Sequence, residues 1–484
     1  MRGYFSPDSV RAAEAPLLAA LPDDALMRRA AYGLAQVVAA ELRARTGGVT
    51  GRRVTLLVGS GDNGGDALHA GVFLRRRGVA VGAVLFAPHR THAAGLDALR
   101  SAGGRVVNVP GSPDLVVDGI VGISGHGPLR PAAASIVGAL HAPIVAADTP
   151  SGVDVTTGVA DGPHVQAAVT VAFGAYKPVH ALAPAACGRV DLIDIGLELD
   201  GADLVSFDDG DIRDFWPVPG EHDDKYSQGV VGIAAGSATY PGAAVLATGS
   251  AVRATSGMVR YAGTARQQVL ATWPEVVAVD HPADAGRVQA WAVGPGFGTD
   301  DTSAADLAAL LATDLPMVVD ADALTLLARN PVRREAPTLL TPHAGEFARL
   351  ADAVSPAAKA LLDAGDRVAA ARTLARELGA TVLLKGFVTV VADPVGDTTV
   401  DTVGSPWAAT PGSGDVLTGM CGALLAAGRS PLQAGSLATR VHSLAAARAA
   451  GGAPTSASRI SAAVPRVLRE VLRPAGESAG RRRR

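Results

Sequence analysis

Short apolar runs rich in β-branched residues alternate with longer stretches rich in Ala, Leu and Arg along most of the chain. Strands and helices that alternate in this way are typical of βαβ units built on a parallel sheet. In the first half the pattern predicts one or two leading helices within 16–44, strands at 54–58, 79–86, 106–109, 115–117, 144–147, 169–173 and 190–193, and helices at 67–77 and 94–102. The first half is therefore expected to form a parallel α/β domain.

The alternation stops between residues 199 and 228, where the chain is acidic and carries Pro217 and Pro219. A second series follows, with predicted strands at 230–235, 276–279, 291–293, 317–319, 338–340, 381–384 and 388–391 and helices that include 369–378. At about 150 residues per domain the length gives a prior of three domains, but two large α/β units fit equally well. We expect a domain at 1–205, a linker at 206–220 and a second domain at 221–484.

Composition and charge exclude several classes of protein. Hydrophobic residues make up 48% of the chain and charged residues 18%, which is not the composition of a disordered protein. The formal net charge of −3 gives no reason to expect nucleic acid as a partner. Two cysteines cannot build a disulfide framework, and the absence of CxxC and HExxH strings argues against structural zinc. No signal peptide or membrane span is recognisable, so we expect a cytoplasmic protein without a membrane partner, in which the arginines at 481–484 form a solvated tail.

Glycine makes up 57 of 484 residues, a larger share than the usual value of about 7%. Part of this excess glycine follows a predicted strand. Gly59, Gly61 and Gly64 form a GxGxxG pattern between strand and helix, the fingerprint of dinucleotide binding. That fingerprint also requires an acid at the end of the next strand to hold the ribose, and residues 84–88 carry none. Arg90 is placed to bind a 2′-phosphate, so an ordinary dehydrogenase remains one alternative. A plain turn in which Asp66 caps the helix is another.

Oxygen-bearing side chains follow this strand and two others. Asp62, Asn63 and Asp66 stand among the glycines of the first loop, where backbone N–H groups favour anions and side-chain oxygens favour cations. Two further predicted strands end at Asp118 and Asp148, each followed by a glycine-containing loop. Ligands of open parallel sheets bind beyond the carboxyl ends of the strands. The three loops therefore predict one common site, although any one aspartate alone would more simply be a helix cap.

The strings GDNGGD (61–66), DGIVGISG (118–125) and ADTPSGVD (147–154) resemble the epimerase domain of the NAD(P)H-hydrate repair enzymes, over about residues 1–205. The resemblance implies a Rossmann-like fold, Asp148 as the catalytic acid/base, and a potassium ion held by Asn63, Asp118 and Ser151. The contacts that it implies with a hydrated nicotinamide nucleotide are Asp62, Asn63, Gly64, Gly65, Asp66, Gly122, Ile123, Ser124, Gly125, His126, Gly127, Pro128 and Asp148. Asp62 stands where this family often has asparagine, and Ala67 where it often has glycine.

A second glycine string, Gly412-Ser-Gly414-Asp415, precedes a predicted helix at 416–425. Glycines at a helix start leave backbone N–H groups and the positive end of the dipole free for an anion. An anion site beside a carboxylate that can accept a hydroxyl proton is what phosphoryl transfer to an alcohol needs. The chain has no GxxxxGK[ST] string, so a Walker-type NTPase is not expected. The alternative for this string is a glycine turn that starts a helix.

The strings YPGAA (240–244), GPGFG (294–298), VVDADAL (318–324), TPHAGE (341–346), LLKG (383–386) and GSGDVLTG (412–419) resemble the ribokinase-like superfamily. More narrowly they resemble the ADP-dependent NAD(P)H-hydrate dehydratases, over about residues 220–475. The resemblance implies Asp415 as the catalytic base and Mg²⁺ at the phosphates. The implied contacts are Ala243, Gly296, His343 and Asp415 with the hydrated nucleotide, and Lys385, Gly386, Phe387, Val388, Thr389 and Gly414 with ADP. Ser405-Pro-Trp407 replaces the asparagine-proline-glycine run usual in that family.

Together the resemblances predict two doubly wound, three-layer α/β domains, Rossmann-like and then ribokinase-like, in a bifunctional enzyme that repairs hydrated NADH and NADPH. The first domain would interconvert the R and S hydrates, with K⁺, and the second would use ADP and Mg²⁺ to convert the S hydrate to NAD(P)H, AMP and phosphate. The expected partners are these small molecules, and a homo-oligomer is expected. Two alternatives stay open: a kinase of a vitamin-precursor alcohol joined to a nucleotide-binding domain, and a non-catalytic nucleotide sensor.

Overall fold

A computed structural model describes residues 1–473, so the arginine run at 481–484 lies outside the described residues. The chain divides into two compact units. One unit is Gly3–Leu204, and the other is Met1–Arg2 together with the chain from Val205 onward. We call them the N-terminal domain and the C-terminal domain and describe each by itself.

The N-terminal domain alternates strands and helices after a first short strand. The strands are β1 (Arg2–Tyr4), β2 (Arg53–Val58), β3 (Ala80–Leu85), β4 (Arg105–Val106), β5 (Leu115–Gly119), β6 (Ile144–Ala147), β7 (Val169–Phe173) and β8 (Arg189–Ile193). The helices are α1 (Pro7–Ala20), α2 (Ala25–Thr46), α3 (Asp62–Arg75), α4 (Ala93–Ser101), α5 (Pro131–Gly138), α6 (Pro178–Leu182) and α7 (Pro184–Cys187). A 3₁₀ turn, Pro88–Arg90, follows β3.

The sheet of this domain has the strand order β4-β3-β2-β5-β6-β7-β8, and its neighbouring strands run parallel. Strands β5, β6 and β7 are buried along their whole length, as expected of parallel strands with helices on both faces. The chain order reverses between β2 and β5. This reversal is a switch point of the kind at which open α/β sheets bind ligands.

The C-terminal domain repeats the alternation on a larger scale. The strands are β9 (Leu204–Ser206), β10 (Val230–Ala234), β11 (Met258–Ala262), β12 (Val277–Val279), β13 (Ala290–Val293), β14 (Met317–Val319), β15 (Thr338–Leu340), β16 (Thr381–Leu384), β17 (Thr389–Ala392) and β18 (Thr398–Asp401). The helices are α8 (Asp209–Phe215), α9 (Pro241–Ala254), α10 (Arg266–Thr272), α11 (Asp301–Leu311), α12 (Ala321–Arg329), α13 (Ala344–Val354), α14 (Pro356–Asp363), α15 (Arg367–Leu378), α16 (Ser413–Ala426), α17 (Pro431–Ala450) and α18 (Ala457–Val471). Helix α8 lies within 206–220, the stretch assigned to a linker from the sequence.

Strands β18-β17-β16-β15-β14-β13-β10-β11-β12 follow one another across the second sheet, with β9 beyond β18. The strands from β16 to β12 run parallel, whereas β17 is antiparallel to both of its neighbours. The chain order reverses between β10 and β13. The loops after β10, β13, β14, β15 and β16 therefore leave the same edge of the sheet, beside a second switch point.

The two doubly wound α/β sheets confirm the fold class expected from the sequence. Both glycine strings, however, lie further inside helices than the sequence predicts: α3 begins at Asp62 rather than at 67, and α16 begins at Ser413 rather than at 416. Close packing explains the glycines in the first turn of α3, since a Cβ at Gly64 would lie 2.7 Å from the Gly59 carbonyl oxygen and one at Gly65 would lie 2.7 Å from the Met27 sulfur.

Each domain has its own apolar core. In the C-terminal domain, helix α16 is buried along most of its length, as a helix that is apolar on all sides is expected to be. Cys187 in the N-terminal domain and Cys421 in the C-terminal domain are free thiols and are buried. Among the described residues, none of the helices combines the length and apolar character that a bilayer span requires.

Candidate active sites

The first glycine loop lies directly against the loop after β5. The Gly59 N–H donates to the Gly119 carbonyl oxygen at 3.0 Å. A Cβ at Gly59 would lie 1.8 Å from the Ile120 carbonyl oxygen, so only glycine permits this approach. Helix α3 starts three residues later, and the N–H groups of a first helical turn have no partners within the helix. The N-terminal switch point therefore offers a helix start to an anion.

A cavity of about 570 Å³ opens at this switch point. Of the predicted substrate contacts, its lining includes Asp62, Asn63, Gly122, Ile123, Ser124, Gly125, His126, Gly127 and Pro128, whereas Gly64, Gly65, Asp66 and Asp148 lie outside the lining. Phe86, Arg90 and Arg130 also line it, and both arginines are exposed. The cavity thus combines an aromatic side chain, two guanidinium groups and a helix start, which suits a phosphorylated nucleoside.

The three predicted potassium ligands meet around the Val121 backbone. Ser151 donates from its N–H and its hydroxyl to the two carboxylate oxygens of Asp118, at 2.9 and 2.7 Å. The Asn63 amide donates to the Val121 carbonyl oxygen at 3.1 Å, and the Val121 N–H donates to the Ser151 hydroxyl at 3.0 Å. Burial raises the pKa of Asp118 to about 6, although the hydrogen bonds that it accepts from Ser151 and Ile120 act in the opposite direction. A cation would compensate this buried carboxylate, so the residues fit a potassium ion.

Asp148 follows β6 in a left-handed backbone conformation, with φ of +61°, which is unusual for a residue other than glycine. Its carboxylate accepts the Phe173 N–H at 3.1 Å and the Lys177 ammonium at 2.5 Å. Lys177 also donates to the Phe173 carbonyl oxygen at 2.8 Å and is only 1% exposed. Asp148 is therefore a buried carboxylate that is held on one side by a buried ammonium group.

His180 forms hydrogen bonds with the backbone of both Lys177 and Asp148. Its Nδ1 accepts the Lys177 N–H at 2.9 Å, so the neutral ring carries its proton on Nε2, which lies 2.8 Å from the Asp148 carbonyl oxygen and donates to it. Burial, and then the charge of Lys177, lower the pKa of His180 to about 4. His180 is thus a neutral donor at physiological pH and leaves the positive charge to Lys177.

Further carboxyl groups surround this pair. Burial raises the pKa of Asp66 well above its usual range, and the charges of Asp148, Asp62 and Glu14 add to the effect. Burial also raises the pKa of Glu14, against the charge of Lys177. Asp66 is therefore in surroundings that disfavour its charged form, beside the ion pair of Asp148 and Lys177.

The start of α16 forms the centre of the C-terminal site. Gly412 caps the helix with φ of +81°, and Gly414 and Asp415 lie in its first turn. The buried His442 ring lies 3.1 Å from both the hydroxyl and the carbonyl oxygen of Ser413, which fixes the position of the helix start. Burial, and then the charge of Asp320, raise the pKa of Asp415 to about 7, which is suited to a general base near neutral pH.

Lys385 links this helix start to the ends of two strands. Its ammonium group donates to one carboxylate oxygen of Asp320 at 2.8 Å and lies 3.7 Å from the Glu346 carboxylate. Thr418, one turn into α16, donates to the other oxygen of Asp320 at 2.7 Å. Burial opposes the charge of Lys385, but the neighbouring carboxylates outweigh it and raise the pKa of this ammonium group. A Cβ at Gly414 would lie 3.5 Å from the Lys385 nitrogen, so two of the predicted ADP contacts adjoin each other.

The structure also brings together two of the predicted contacts with the hydrated nucleotide. A Cβ at Gly296 would lie 2.9 Å from the Ala243 Cβ, which places the loop after β13 against the start of α9. His343 caps α13: its Nδ1 accepts the N–H groups of Gly345 and Glu346 at 3.0 and 3.3 Å. The His343 ring is still exposed, and its Nε2 lies 3.5 Å from the Glu346 carboxylate.

The remaining predicted ADP contacts form the turn between β16 and β17. Gly386 accepts the Thr389 hydroxyl at 3.3 Å, Val388 is buried and Phe387 is 53% exposed. A Cβ at Gly404 would lie 1.9 Å from the Phe387 carbonyl oxygen, so the chain before Trp407 passes close to this turn. Trp407 itself lies in a 3₁₀ turn and is 39% exposed.

Sequence reasoning missed several groups in both sites. Lys177 and His180 follow β7, whose end did not stand out because it carries no acid or glycine string of the kind that marked the other strand ends. The string Lys177-Pro-Val-His180, two ionisable residues around a helix-starting proline, is the signal that could have found them. Thr418 was hidden inside the apolar helix α16, where it resembles a core residue.

Two family models match the chain. One, described as the N-terminal part of YjeF-related proteins, matches residues 23–179, and the other, described as NAD(P)H-hydrate dehydratase, matches residues 231–466. The matches fall on the N-terminal and the C-terminal domain respectively. Each covers the predicted site residues of its domain; in the first match Lys177 lies near the end and His180 lies one residue beyond it.

Curated relatives match over nearly the whole chain. A bifunctional NAD(P)H-hydrate repair enzyme of Mycobacterium leprae is 59% identical over 472 residues, covering 95% of this chain and 98% of the relative. The enzyme of the same description from Mycobacterium tuberculosis is 62% identical over 435 residues, covering 88% and 90%.

Solved structures match about half of the chain. The ADP/ATP-dependent NAD(P)H-hydrate dehydratase from Bacillus subtilis, co-crystallised with ATP and Mg²⁺, is 27% identical with a TM-score of 0.50 and covers 55% of this chain and 99% of its own. A ribokinase-like superfamily protein from Enterococcus faecalis has a TM-score of 0.51 at 23% identity, covers 57% of this chain and 99% of its own, and supports the fold alone.

Proposed function

The chain belongs to the bifunctional NAD(P)H-hydrate repair enzymes, and from that premise we propose which of its residues carry out each step of the repair. The N-terminal domain interconverts the R and S hydrates of NADH and NADPH. The C-terminal domain uses ADP to convert the S hydrate to NAD(P)H, AMP and phosphate. The observation that carries the residue assignment is the carboxylate of Asp415, with its pKa near 7, in the first turn of α16.

In the C-terminal domain Asp415 is the general base. It accepts the proton of the substrate hydroxyl as that oxygen attacks the terminal phosphorus of ADP, and AMP leaves. The N–H groups at the start of α16, including that of Gly414, hold the phosphate charge, and Lys385 adds an ammonium group beside them. Phosphate is a far better leaving group than hydroxide, so elimination then restores the dihydropyridine ring.

Mg²⁺ fits the charge balance of this site. Asp320, Glu346 and Asp415 surround a single ammonium group, that of Lys385, so carboxylates outnumber cations. Mg²⁺ is commonly held by one or two carboxylates together with nucleotide phosphates. We propose that Asp320 and Glu346 hold the ion, which supplies positive charge to the phosphates when it is bound.

In the N-terminal domain the 570 Å³ cavity holds the dinucleotide. The start of α3 and the exposed Arg90 and Arg130 receive its phosphate groups, and Asp148 is the acid/base at the hydrated ring. Asn63, Asp118 and Ser151 hold K⁺, whose charge compensates the buried Asp118 carboxylate.

One assay tests the repair reaction. The full chain is mixed with purified S hydrate, ADP and Mg²⁺, and the absorbance of the reduced nicotinamide is followed. We expect the reduced form to accumulate, with AMP and phosphate released in equal amounts. Replacement of ADP by ATP measures the nucleotide preference. Formation of no NADH with either nucleotide would contradict the proposal. A homo-oligomer stays a prediction, which the mass in solution would test.

A further inference from the structure

Lys177 is the only lysine between residues 1 and 205, and it is nearly inaccessible to solvent. Its ammonium group touches the Asp148 carboxylate and the Phe173 carbonyl oxygen. A buried ammonium group is costly unless it is paired and hydrogen-bonded, and both conditions are met here. The pairing partner is the residue proposed as the acid/base of the epimerase.

The carboxyl groups around this lysine outnumber it. Glu14 lies on α1, Asp62 and Asp66 lie in the first turn of α3, and Asp148 follows β6, while His180 on α6 is kept neutral. Arg11 adds a positive charge that acts on Glu14. Without Lys177, Asp148 would keep its acidic neighbours, of which Asp66 is buried, and would lose the ammonium group paired with it, so its proton would bind more tightly.

The Lys177 contact also fixes where the Asp148 carboxylate points. The backbone of Asp148 is in the left-handed region, and conformations of this kind persist only where surrounding contacts enforce them. The Phe173 N–H and the Lys177 ammonium group hold the side chain, and the His180 ring holds its carbonyl oxygen. Lys177 is the only one of the three that carries a charge.

We propose that Lys177 is a positioning residue of the epimerase, which keeps Asp148 in its carboxylate form and sets the lower pH limit of epimerisation. The inference rests on the proposed role of Asp148. If the buried ion pair were purely structural, loss of Lys177 would lower the epimerisation rate by the same factor at every pH. If Lys177 keeps Asp148 charged, its loss moves the pH profile of the rate.

The test compares full-length wild type with Lys177→Met and Lys177→Arg. The kcat/KM of epimerisation is measured between pH 5 and pH 9, because this quantity reports the ionisation of the free enzyme. We expect the acidic limb of Lys177→Met to move upward by about 1–3 pH units, the shift that an adjacent opposite charge typically causes. Lys177→Arg, which keeps the charge, is expected to return the limb to within about half a pH unit of wild type.

Thr170→Val provides a matched control for lost stability in the same region. Thr170 is fully buried on β7 and donates to the Cys187 carbonyl oxygen at 2.7 Å, but it does not contact Asp148. We expect this variant to melt at a lower temperature and to keep the wild-type pH profile. The ADP-dependent dehydratase rate of each preparation measures how much intact enzyme is present.

The outcomes separate the two hypotheses. An acidic limb that stays in place in Lys177→Met, with only a uniform loss of rate, would overturn the inference alone. A limb that moves in Lys177→Arg as far as in Lys177→Met would also overturn it, because charge would then not be the cause. A wild-type enzyme that does not epimerise the hydrates would overturn the proposed function of this domain and the inference with it.

Discussion

At the scale of single residues, the two proposed catalytic carboxylates have opposite surroundings. Asp148 is paired with the ammonium group of Lys177, whereas Asp415 faces the negative charge of Asp320 as well as burial, with Lys385 acting in the opposite direction. Burial and the charge of Asp320 favour the protonated form of Asp415, whereas the neighbour that touches the Asp148 carboxylate is a cation. The two activities are therefore expected to differ in their response to pH.

The dehydratase should depend on pH through Asp415. A general base must be deprotonated, so kcat/KM of ADP-dependent dehydration is expected to rise with pH up to about 7 and then level off. Asp415→Asn should lower this activity by roughly 10²–10⁴-fold and leave epimerisation unchanged. A full pH titration of wild type together with single-pH rates of the variant measures both effects. Equal loss of both activities in the variant would contradict independent sites.

Potassium activation should depend on the ionisation of Asp118. Because the pKa of Asp118 is about 6, protonation below that pH removes the negative charge that attracts the ion. The concentration of KCl that half-activates epimerisation is expected to be several-fold higher at pH 5.5 than at pH 7.5. Asp118→Asn should abolish this difference. Half-activation at the same KCl concentration at both pH values would argue against Asp118 as a ligand.

The sequence predicts residues well where they lie in short strings at strand ends. Asn63, Asp118 and Ser151 come from three such strings, and the parallel sheet brings them together as expected. The assigned roles stay predictions. Lys177 and Asp148 are 29 residues apart and on different strand ends, and no local pattern indicates that they form an ion pair. Partners of this kind depend on sheet order and on the direction of a turn, which the sequence does not display.

At the scale of elements, the two domains pack the loops beside their switch points in the same way. A glycine ends the strand beside each switch point, and its backbone approaches the carbonyl oxygen of a neighbouring strand end. A Cβ would lie 1.8 Å from the Ile120 oxygen at Gly59 and 1.8 Å from the Asp320 oxygen at Gly294. Both glycines therefore set the distance between the two loops that border a candidate site.

Gly59→Ala is expected to destabilise the N-terminal domain and to abolish epimerisation. The added methyl group collides with backbone, which cannot move aside as a flexible side chain would, so we expect a loss of about 1–3 kcal/mol in the free energy of unfolding. Gly61→Ala is the matched control for stability, because a Cβ there meets nothing within 4 Å. Thermal unfolding measures both variants, and a Gly59→Ala enzyme as stable as Gly61→Ala would contradict this packing. The dehydratase rate should survive in both.

The apolar pattern predicts the central elements better than the edges. Strands β6, β7, β14, β15 and β16 have the bounds expected from their buried runs. Strands β11 and β18 are not predicted, because neither forms a continuous apolar run. Strand β11 carries Arg260 and Tyr261, and β18 carries Thr398, Thr399 and Asp401. The starts of α3 and α16 are missed because glycine disfavours helices in general, whereas tight packing requires it here.

At the scale of the whole molecule, the chain carries two sites in two domains that act on one substrate pool. An equimolar mixture of the R and S hydrates tests this directly. Wild type is expected to convert all of it to NAD(P)H, whereas Asp148→Asn should convert rapidly only the S fraction, about half of the total. The amplitude of the absorbance change distinguishes the two cases. Rapid and complete conversion by Asp148→Asn would remove Asp148 from the proposed role.

Complementation tests whether the epimer leaves one site before it reaches the other. Pure R hydrate is offered to an equimolar mixture of Asp148→Asn and Asp415→Asn. Each variant retains one working site, so we expect the mixture to form NAD(P)H while either variant alone forms little. The double variant is the control and should form none above the uncatalysed rate. Failure of the mixture, with wild type active, would indicate that the intermediate does not exchange between molecules.

Each domain contains one cysteine, and both thiols are buried. Burial raises the pKa of Cys187 to about 12 and also raises that of Cys421, so neither thiol is reactive in the folded protein. A thiol becomes available to an alkylating reagent only when its own domain opens. The chain therefore carries a built-in reporter of unfolding for each half: peptide mapping of label at Cys187 and Cys421 along a urea gradient would resolve two stability curves in a single protein, without any engineered probe.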